Sequence, residues 1–421
     1  MTPKSPPSDA EITPCGGPDP HCVTPRLDAM PLAAVGAVLL VLGGAAVAAG
    51  LLAWEDVGAL ADRVVPILAF VAAITVVTEL FNAAGLFEWI AARFRRWGRG
   101  RAWLLWGLVT VLSLTATVFL SLDTTAVLLT PIVVVLARSC RLPPLPFALT
   151  AVWLANTGSL LLPVSNLTNL LALHSLGNVS PVEFAARMAL PALWCALVPV
   201  LAVGVLFRKD LRARYDPLRA SRTPAEGDGG ARADRVLLGT SAVVLAFLLP
   251  GLVSGLAPWI PSVAAAAVLV LAFAARRPRA LRWALVPWQL VVFAAGLFLL
   301  MEALQHLGGG DLAAALLGSG SGPLDLVRVA AVGAAGSNLV NNLPAYLAFE
   351  QSAGGPARLA ALLVGVNAGP LITPWASLAT LIWHEQLRRL GVSISWWGYA
   401  AAGAVLVPLM VVPAALLAAV P

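Results

Sequence analysis

Charge is what this chain is short of: 11% of its 421 residues are Asp, Glu, Lys or Arg, while 59% are apolar. A water-soluble domain carries roughly 25% charged residues, so a pair of ordinary soluble domains is excluded. Cysteine is scarce as well, and four scattered thiols, Cys15, Cys22, Cys140 and Cys195, make no disulfide scaffold. Several catalytic signatures are missing. There is no Ser/His pair at a plausible depth, no pair of intramembrane aspartates and no His-Glu metal motif, which argues against an intramembrane enzyme, and no cofactor is expected. The first twenty residues lack the basic start and apolar core of a signal peptide. Residues 1–30, rich in Pro, Asp and Thr, read as a disordered cytoplasmic tail. Its CGGPDPHC stretch offers Cys15, His21 and Cys22 to a soft metal or metalloid, but an unstructured linker, or a start at Met30, explains the stretch better.

What is abundant is the apolar run of twenty or so residues, the length that crosses a bilayer. Such runs fall at about 31–53, 64–87, 147–174, 183–207, 236–256, 258–275, 286–306, 357–383 and 396–420. Two further apolar regions, 102–139 and 325–350, are interrupted midway by polar residues and are expected to be re-entrant hairpins. The net charge of +6 is no sign of nucleic acid, because the arginines sit in loops beside apolar segments. Arg93, Arg95, Arg96, Arg99 and Arg101 share a side with Arg138 and Arg141, with the 208–235 loop, with Arg276, Arg277, Arg279 and Arg282, and with Arg388 and Arg389; the other side keeps Arg63 and Arg358. The positive-inside rule then puts the N-terminus in the cytoplasm and the C-terminus outside, with nine crossings of the cell membrane. Residues 208–235 read as a flexible cytoplasmic linker between a first membrane half, 31–207, and a second, 236–421.

The two halves repeat. NTGSLLLPVSNLTNLL at 156–171 is echoed by NAGPLITPWASLATLI at 367–382, offset by 211, so that Asn156 meets Asn367, Gly158 meets Gly369 and Pro163 meets Pro374. DTTAVL at 123–128 lies opposite NLPAYL at 342–347, offset by 219, and Phe70, Glu79 and Gly85 lie opposite Phe293, Glu302 and Gly308, offset by 223. An odd number of crossings separates the Glu79 and Glu302 helices, so the copies face opposite ways. The expected fold is therefore an all-α polytopic membrane protein, an inverted repeat with two re-entrant hairpins and two broken transmembrane helices, which is a transporter architecture.

Glycine and proline let each broken helix unwind, and the freed carbonyls can bond Ser159, Ser165, Asn166, Thr168 and Asn169, or Thr373, Ser377 and Thr380. A single such segment reads as a structural kink; a matched pair reads as a binding site. Asp123, flanked by Thr124 and Thr125, is the one carboxylate in the first polar cluster, and the cost of burying its charge suits it to take up and release a proton, although it can equally cap the second arm of the hairpin. Asn342 stands opposite it, among Ser337, Asn338 and Asn341. Glu79 and Glu302 are candidates for either proton carriage or bracing.

SLDTTAVLLTP, GSNLVNNLPAYLA and NAGPLITPWASLATLIW resemble the arsenite permeases, the arsenical pump membrane proteins of the wider ion transporter superfamily, over about residues 60 to 420. The resemblance implies a scaffold around a transport core with two re-entrant hairpins, export of arsenite or antimonite in exchange for protons, and optional partnership with a cytoplasmic ATPase subunit. It implies substrate and coupling positions at Asp123, Thr124, Asn156, Ser165 and Asn166, and at Asn338, Asn341, Asn342, Asn367, Thr373 and Ser377; Thr157, Gly158, Ser159, Thr168, Asn169 and Gly369 join them as substrate candidates. A sodium-coupled dicarboxylate or sulfate symporter of the same superfamily is the alternative. That branch carries Ser-Asn-Thr at its hairpin tips, whereas this chain has Ser337-Asn338-Leu339 and Asp123. Arsenite, a neutral trihydroxide, suits hydroxyl and amide ligands. One proton crossing ~100 mV supplies ~2.3 kcal/mol, enough for roughly a fiftyfold gradient of a neutral solute without ATP.

Overall fold

Membrane crossing decides the local structure, because a backbone in lipid must satisfy its own hydrogen bonds and a helix does so within one segment. The computed structural model describes residues 32–177, 179–216 and 234–419. The N-terminal tail with Cys15 and Cys22, and most of the 208–235 linker, lie outside the described residues. Among the described residues the only strand-like pairing is one bridge, Arg101 to Arg214, and eight helices are long and apolar enough to cross a membrane. Their outer faces carry exposed Val111, Phe247 and Leu271, surface that only a lipid solvent would accept in such density.

The first half runs α1 (Leu32–Ala48), α2 (Trp54–Ala83) and α3 (Leu86–Trp97). A hairpin follows, made of α4 (Ala102–Leu120) and α5 (Leu122–Ser139). Next come α6 (Leu145–Thr157) and α7 (Leu167–Ser175), the two pieces of a broken helix, and then α8 (Pro181–Leu206). After α9 (Arg235–Val253) the order recurs as α10 (Trp259–Arg276), α11 (Trp288–Leu304) and α12 (Gly310–Leu317). A second hairpin, α13 (Pro323–Val340) with α14 (Asn342–Ala353), leads to the second broken helix, α15 (Pro356–Ala368) with α16 (Leu378–Arg389), and to α17 (Trp396–Leu417).

Helix α2 begins ten residues before the expected crossing at 64. Glu55 and Asp56 occupy its first turn, where negative charge favours a helix start, and the Asp56 carboxylate accepts the Ala53 N–H at 3.0 Å. The arginine-rich loop is in part a helix, α3, with Leu86, Phe87, Ala91 and Phe94 buried on one face and Arg95 and Arg96 in its last turn. The start of the expected tether is also folded: Tyr215 donates from its hydroxyl to the Arg95 carbonyl at 2.9 Å and from its N–H to Gly100 at 2.9 Å. In α5, Pro131 cannot donate to the Val127 carbonyl, and Thr125–Leu129 slips into one wide turn.

The backbone repeats more faithfully than the side chains. Gly85 and Gly308 both take left-handed torsions, φ 81° and φ 92°, at the turn after α2 and α11. Ser121 (φ 101°, ψ 160°) and Asn341 (φ 118°, ψ 157°) form the two hairpin tips. In the helix breaks, Asn166 (φ −151°, ψ 146°) matches Ser377 (φ −143°, ψ 135°) at the offset of 211. The tips thus align at an offset of 220, one more than side-chain likeness suggested, so the counterpart of Asp123 is Leu343 and Asn342 stands opposite Leu122. Packing is reciprocal, as a pseudo-two-fold axis requires. Helix α1 packs on α11 and α10 on α2; α16 packs on α5 and α14 on α7; α8 and α17 pack on each other. Each hairpin's arms pack against the first piece of its own broken helix, α4 and α5 against α6, and α13 and α14 against α15.

Those contacts are tight. A side chain at Gly365 of α15 would meet the Ala330 carbonyl oxygen of α13 at 2.2 Å, which only backbone movement could relieve. We expect Gly365→Val to cost about 3 kcal/mol, read as a lower midpoint of thermal unfolding in detergent. Gly44→Ala on α1, where nothing lies within 4 Å, should stay within about 0.5 kcal/mol.

Candidate functional site

Four helices begin at one place. The starts of α5, α7, α14 and α16, marked by Ser121, Asn166, Asn341 and Ser377, all line a single cavity of ≈ 90 Å³, together with Asp123 and Asn342. Each start leaves N–H groups with no intrahelical partner and a partial positive charge. Three of the four cap themselves: Ser121 Oγ accepts from Thr124 N at 3.4 Å, Asn166 Oδ1 from Thr168 N at 3.3 Å, and Asn341 Oδ1 from Leu343 N at 3.4 Å. Ser377 does not. Its hydroxyl is fully buried and has no hydrogen-bond partner among the described residues.

The tips themselves are strained. Torsions near φ 100–118° and ψ 160° belong to a region that is essentially reserved for glycine. A serine and an asparagine held there, both facing the cavity, trade stability for placement of a polar side chain. Among the described residues Asp123 is the only charged one on that wall.

The remaining polar candidates fall into two groups of braces. Asn367 on α15 is the hub of the first: its Oδ1 accepts from Asn166 Nδ2 at 2.9 Å and Thr168 Oγ1 at 2.8 Å, and its Nδ2 donates to Asn169 Oδ1 at 2.8 Å. Asn169 Nδ2 in turn donates to the carbonyls of Ser159 and Leu162, freed where α6 ends. Ser159 Oγ and Ser165 Oγ bond the carbonyls of Asn156 and Leu162 within the same break. Asn156 Nδ2 reaches Val152 O at 3.0 Å and Thr380 Oγ1 at 3.4 Å across the repeat boundary; its Oδ1 and the Thr157 hydroxyl are buried without partners. Gly158 begins the turn that ends α6.

Asn338 is the hub of the second group. It donates to Gly369 O at 2.7 Å, accepts from Ile372 N and Thr373 N at 3.1 and 3.0 Å, and offers its carbonyl to Thr373 Oγ1 at 2.7 Å. It thereby holds the break between α15 and α16 onto the hairpin tip.

A second cavity, ≈ 420 Å³, shares Thr75, Asp123, Leu290 and Leu378 with the first and contains Thr124, Glu79 and Gln289. Glu79 and Asp123 therefore face connected space. Glu302 lines neither cavity. Sequence reading missed Ser121, because serine gives no sign of a left-handed tip, and Gln289, which sits in an ordinary apolar run.

The chain as a whole has known relatives. A family model described as a citrate transporter matches residues 27–379. An arsenical pump membrane protein of Escherichia coli (strain K12) is 31% identical over 381 residues, 83% of this chain and 85% of that protein. A putative arsenical pump membrane protein of Bacillus subtilis (strain 168) is 24% identical over 423 residues, 90% of this chain and 91% of its own. Among solved structures, the Alcanivorax borkumensis YdaH transporter, whose crystal structure is described as revealing an unusual topology, aligns with a TM-score of 0.53 at 15% identity over 92% of this chain and 97% of that one.

Replacing Asn367 by Leu strands three buried polar groups, and we expect a loss of roughly 3 kcal/mol, visible as a lower thermal midpoint in detergent. Ser121→Gly should be neutral or stabilising by about 1 kcal/mol, since it relieves the tip torsion.

Proposed function

The chain belongs to the citrate transporter family and, within it, to the arsenical pump membrane proteins, and on that premise we propose that it is a secondary transporter exporting arsenite or antimonite from the cytoplasm in exchange for protons, by alternating access. The observation that carries this reading is the small cavity where four helix starts meet one carboxylate and the unpartnered Ser377 hydroxyl. Its ≈ 90 Å³ is well below the several hundred Å³ that an organic ligand of drug size fills. Among the described residues no Arg, Lys or His lines it. A multiply charged carboxylate would meet the Asp123 charge with no cation to offset it, whereas a neutral trihydroxide needs only donors and acceptors.

In the proposed mechanism, ionised Asp123 and Asn342 accept the solute's O–H groups, and the helix-start N–H groups and Ser377 donate to its oxygens. A proton reaching Asp123 removes its charge and turns it from pure acceptor into partial donor, which weakens its hold on the solute. Solute and proton then compete for one carboxylate, and that competition is what exchange requires. Thr124 and Glu79 line the approach to it. Asn156, Thr157, Gly158, Ser159, Ser165, Asn166, Thr168, Asn169, Asn338, Asn367, Gly369 and Thr373 set the shape of the cavity or, like Asn166, line it directly. The two hairpins, entering and leaving on one side, move with the broken helices as a transport core against a scaffold of α1, α2, α10 and α11. The Glu79 end faces the cytoplasm with the arginine-rich loops, and the C-terminus lies outside. A cytoplasmic ATPase subunit is an optional partner.

Sodium-coupled anion symport is the second reading, favoured by the four positive helix ends. Sodium-dependent uptake of succinate or sulfate into proteoliposomes would establish it. The first reading is tested in cells lacking their own arsenite exporter. Wild-type chain should lower arsenite accumulation severalfold; Asp123→Asn should abolish export, and Ser377→Ala should raise the half-saturating arsenite concentration about tenfold, one lost hydrogen bond of roughly 1.4 kcal/mol. Unchanged accumulation with the wild-type chain sinks the arsenite assignment, and normal export by Asp123→Asn sinks the proton role.

A further inference from the structure

One face of α2 borders three cavities in succession. Asp62, Arg63, Pro66, Ile67 and Phe70 line the first, ≈ 480 Å³; Phe70, Val71, Ile74 and Thr75 line the central one; Thr75, Thr78 and Glu79 line the third. The i, i+3, i+4 spacing makes this a single stripe along the helix. The partitions differ. The central cavity shares Thr75 and Asp123 with the Glu79 end, but only apolar Phe70 and Leu170 with the Arg63 end.

At the Arg63 end stands a cluster that the site described above does not use. Glu350 of α14, with 4% of its side chain exposed, accepts from the Arg63 guanidinium of α2, from the Ser175 hydroxyl of α7 and, at 3.0 Å, from the Tyr346 hydroxyl. Three helices from both repeats are tied at one carboxylate. Under the repeat offsets the four equivalent positions are Val286, Thr130, Gln386 and Ala126, none of them charged. Val286, the counterpart of Arg63, lines the Glu79-end cavity. Among the described residues an ion pair stands at one end of the stripe and none lines the cavity at the other.

We propose that Arg63 and Glu350 form the gate that closes this end of the transport path, and that their pairing holds the protein in the conformation described. The proposal rests on the reading of the central cavity as a transport site. Opening the Arg63 end means drawing the transport core, α14 together with α7, away from α2, which separates two largely buried charges; among the described residues no ion pair lines the cavity at the Glu79 end. The pair thus biases the two-state equilibrium toward access from the Glu79 side.

The test uses the full-length chain with its four cysteines replaced by serine and one reporter thiol added, reconstituted in liposomes and labelled with a membrane-impermeant maleimide applied to one side at a time. Leu170→Cys reports the wall at the Arg63 end, and Val286→Cys, partly exposed on the wall of the other cavity, reports the Glu79 end. Neutralising the pair with Arg63→Gln and Glu350→Gln together leaves no stranded charge; it should speed labelling at position 170 about tenfold and slow labelling at position 286. The charge-reversed pair, Arg63→Glu with Glu350→Arg, should restore the parental rates. Parental labelling at position 170 in the neutral pair would overturn the gate, as would faster labelling at both positions, the mark of general loosening. A charge-reversed pair that labels like the neutral one would also overturn it. No substrate enters the measurement, so its outcome is independent of whether arsenite is carried.

Discussion

Everything in this fold is arranged around the cost of starting a helix inside an apolar medium. Each start exposes N–H groups that lipid cannot bond, and here four starts are gathered at one cavity. Gathering them concentrates partial positive charge where one carboxylate, Asp123, can balance it. The breaks in α6/α7 and α15/α16, the left-handed tips and the reciprocal packing are what bring the four ends together. Self-capping by Ser121, Asn166 and Asn341 meets most of the cost, and Ser377 alone of the four leaves its helix start uncapped by its side chain.

Amides in a membrane protein can serve either as ligands or as mortar, and the two uses look alike in sequence. Asn166 and Asn341 belong to both: the amide of Asn166 bonds Asn367 and that of Asn341 donates to the Trp375 carbonyl, while both residues border the cavity. Asn169 and Asn367 spend their hydrogen-bonding capacity on each other, Asn169 also on freed carbonyls and Asn367 on the Asn166 amide and the Thr168 hydroxyl. Asn338 does the same for the second break. A brace of this kind carries the two broken helices as one body, so a displacement at one repeat is felt at the other. That rigidity is a precondition for moving a site without dismantling it.

Much of this was legible beforehand. Apolar runs marked most of the long helices, polar interruptions marked the two helical hairpin tips, and the Gly-to-Pro spacing marked both breaks, because each of these is a local property of the chain. The start of α2 was hidden because its first turns carry charge, and α3 was hidden because an amphipathic helix between arginines looks like a loop. The tip register slipped by one because Asp123 resembles Asn342 chemically, while the backbone matches Ser121 to Asn341. The Arg63–Glu350 pair was out of reach for a different reason: its members are 287 positions apart, and neither has a charged counterpart in the other repeat to draw attention to it.

The exchange of partners between the first two helices of each half also shapes how the protein is made. Helix α1 finds its packing surface on α11, and α2 finds part of its own on α10. Gly36 on α1 and Gly296 on α11 lie so close to the partner backbone that neither face can be completed early. At ribosomal rates of about 5–20 residues per second, the wait between the emergence of α1 and of α11 is on the order of 10–50 s. During that interval the first half sits in the bilayer with its scaffold surface uncovered, and something in the membrane, lipid or insertion machinery, must occupy the place that α10 and α11 will later take.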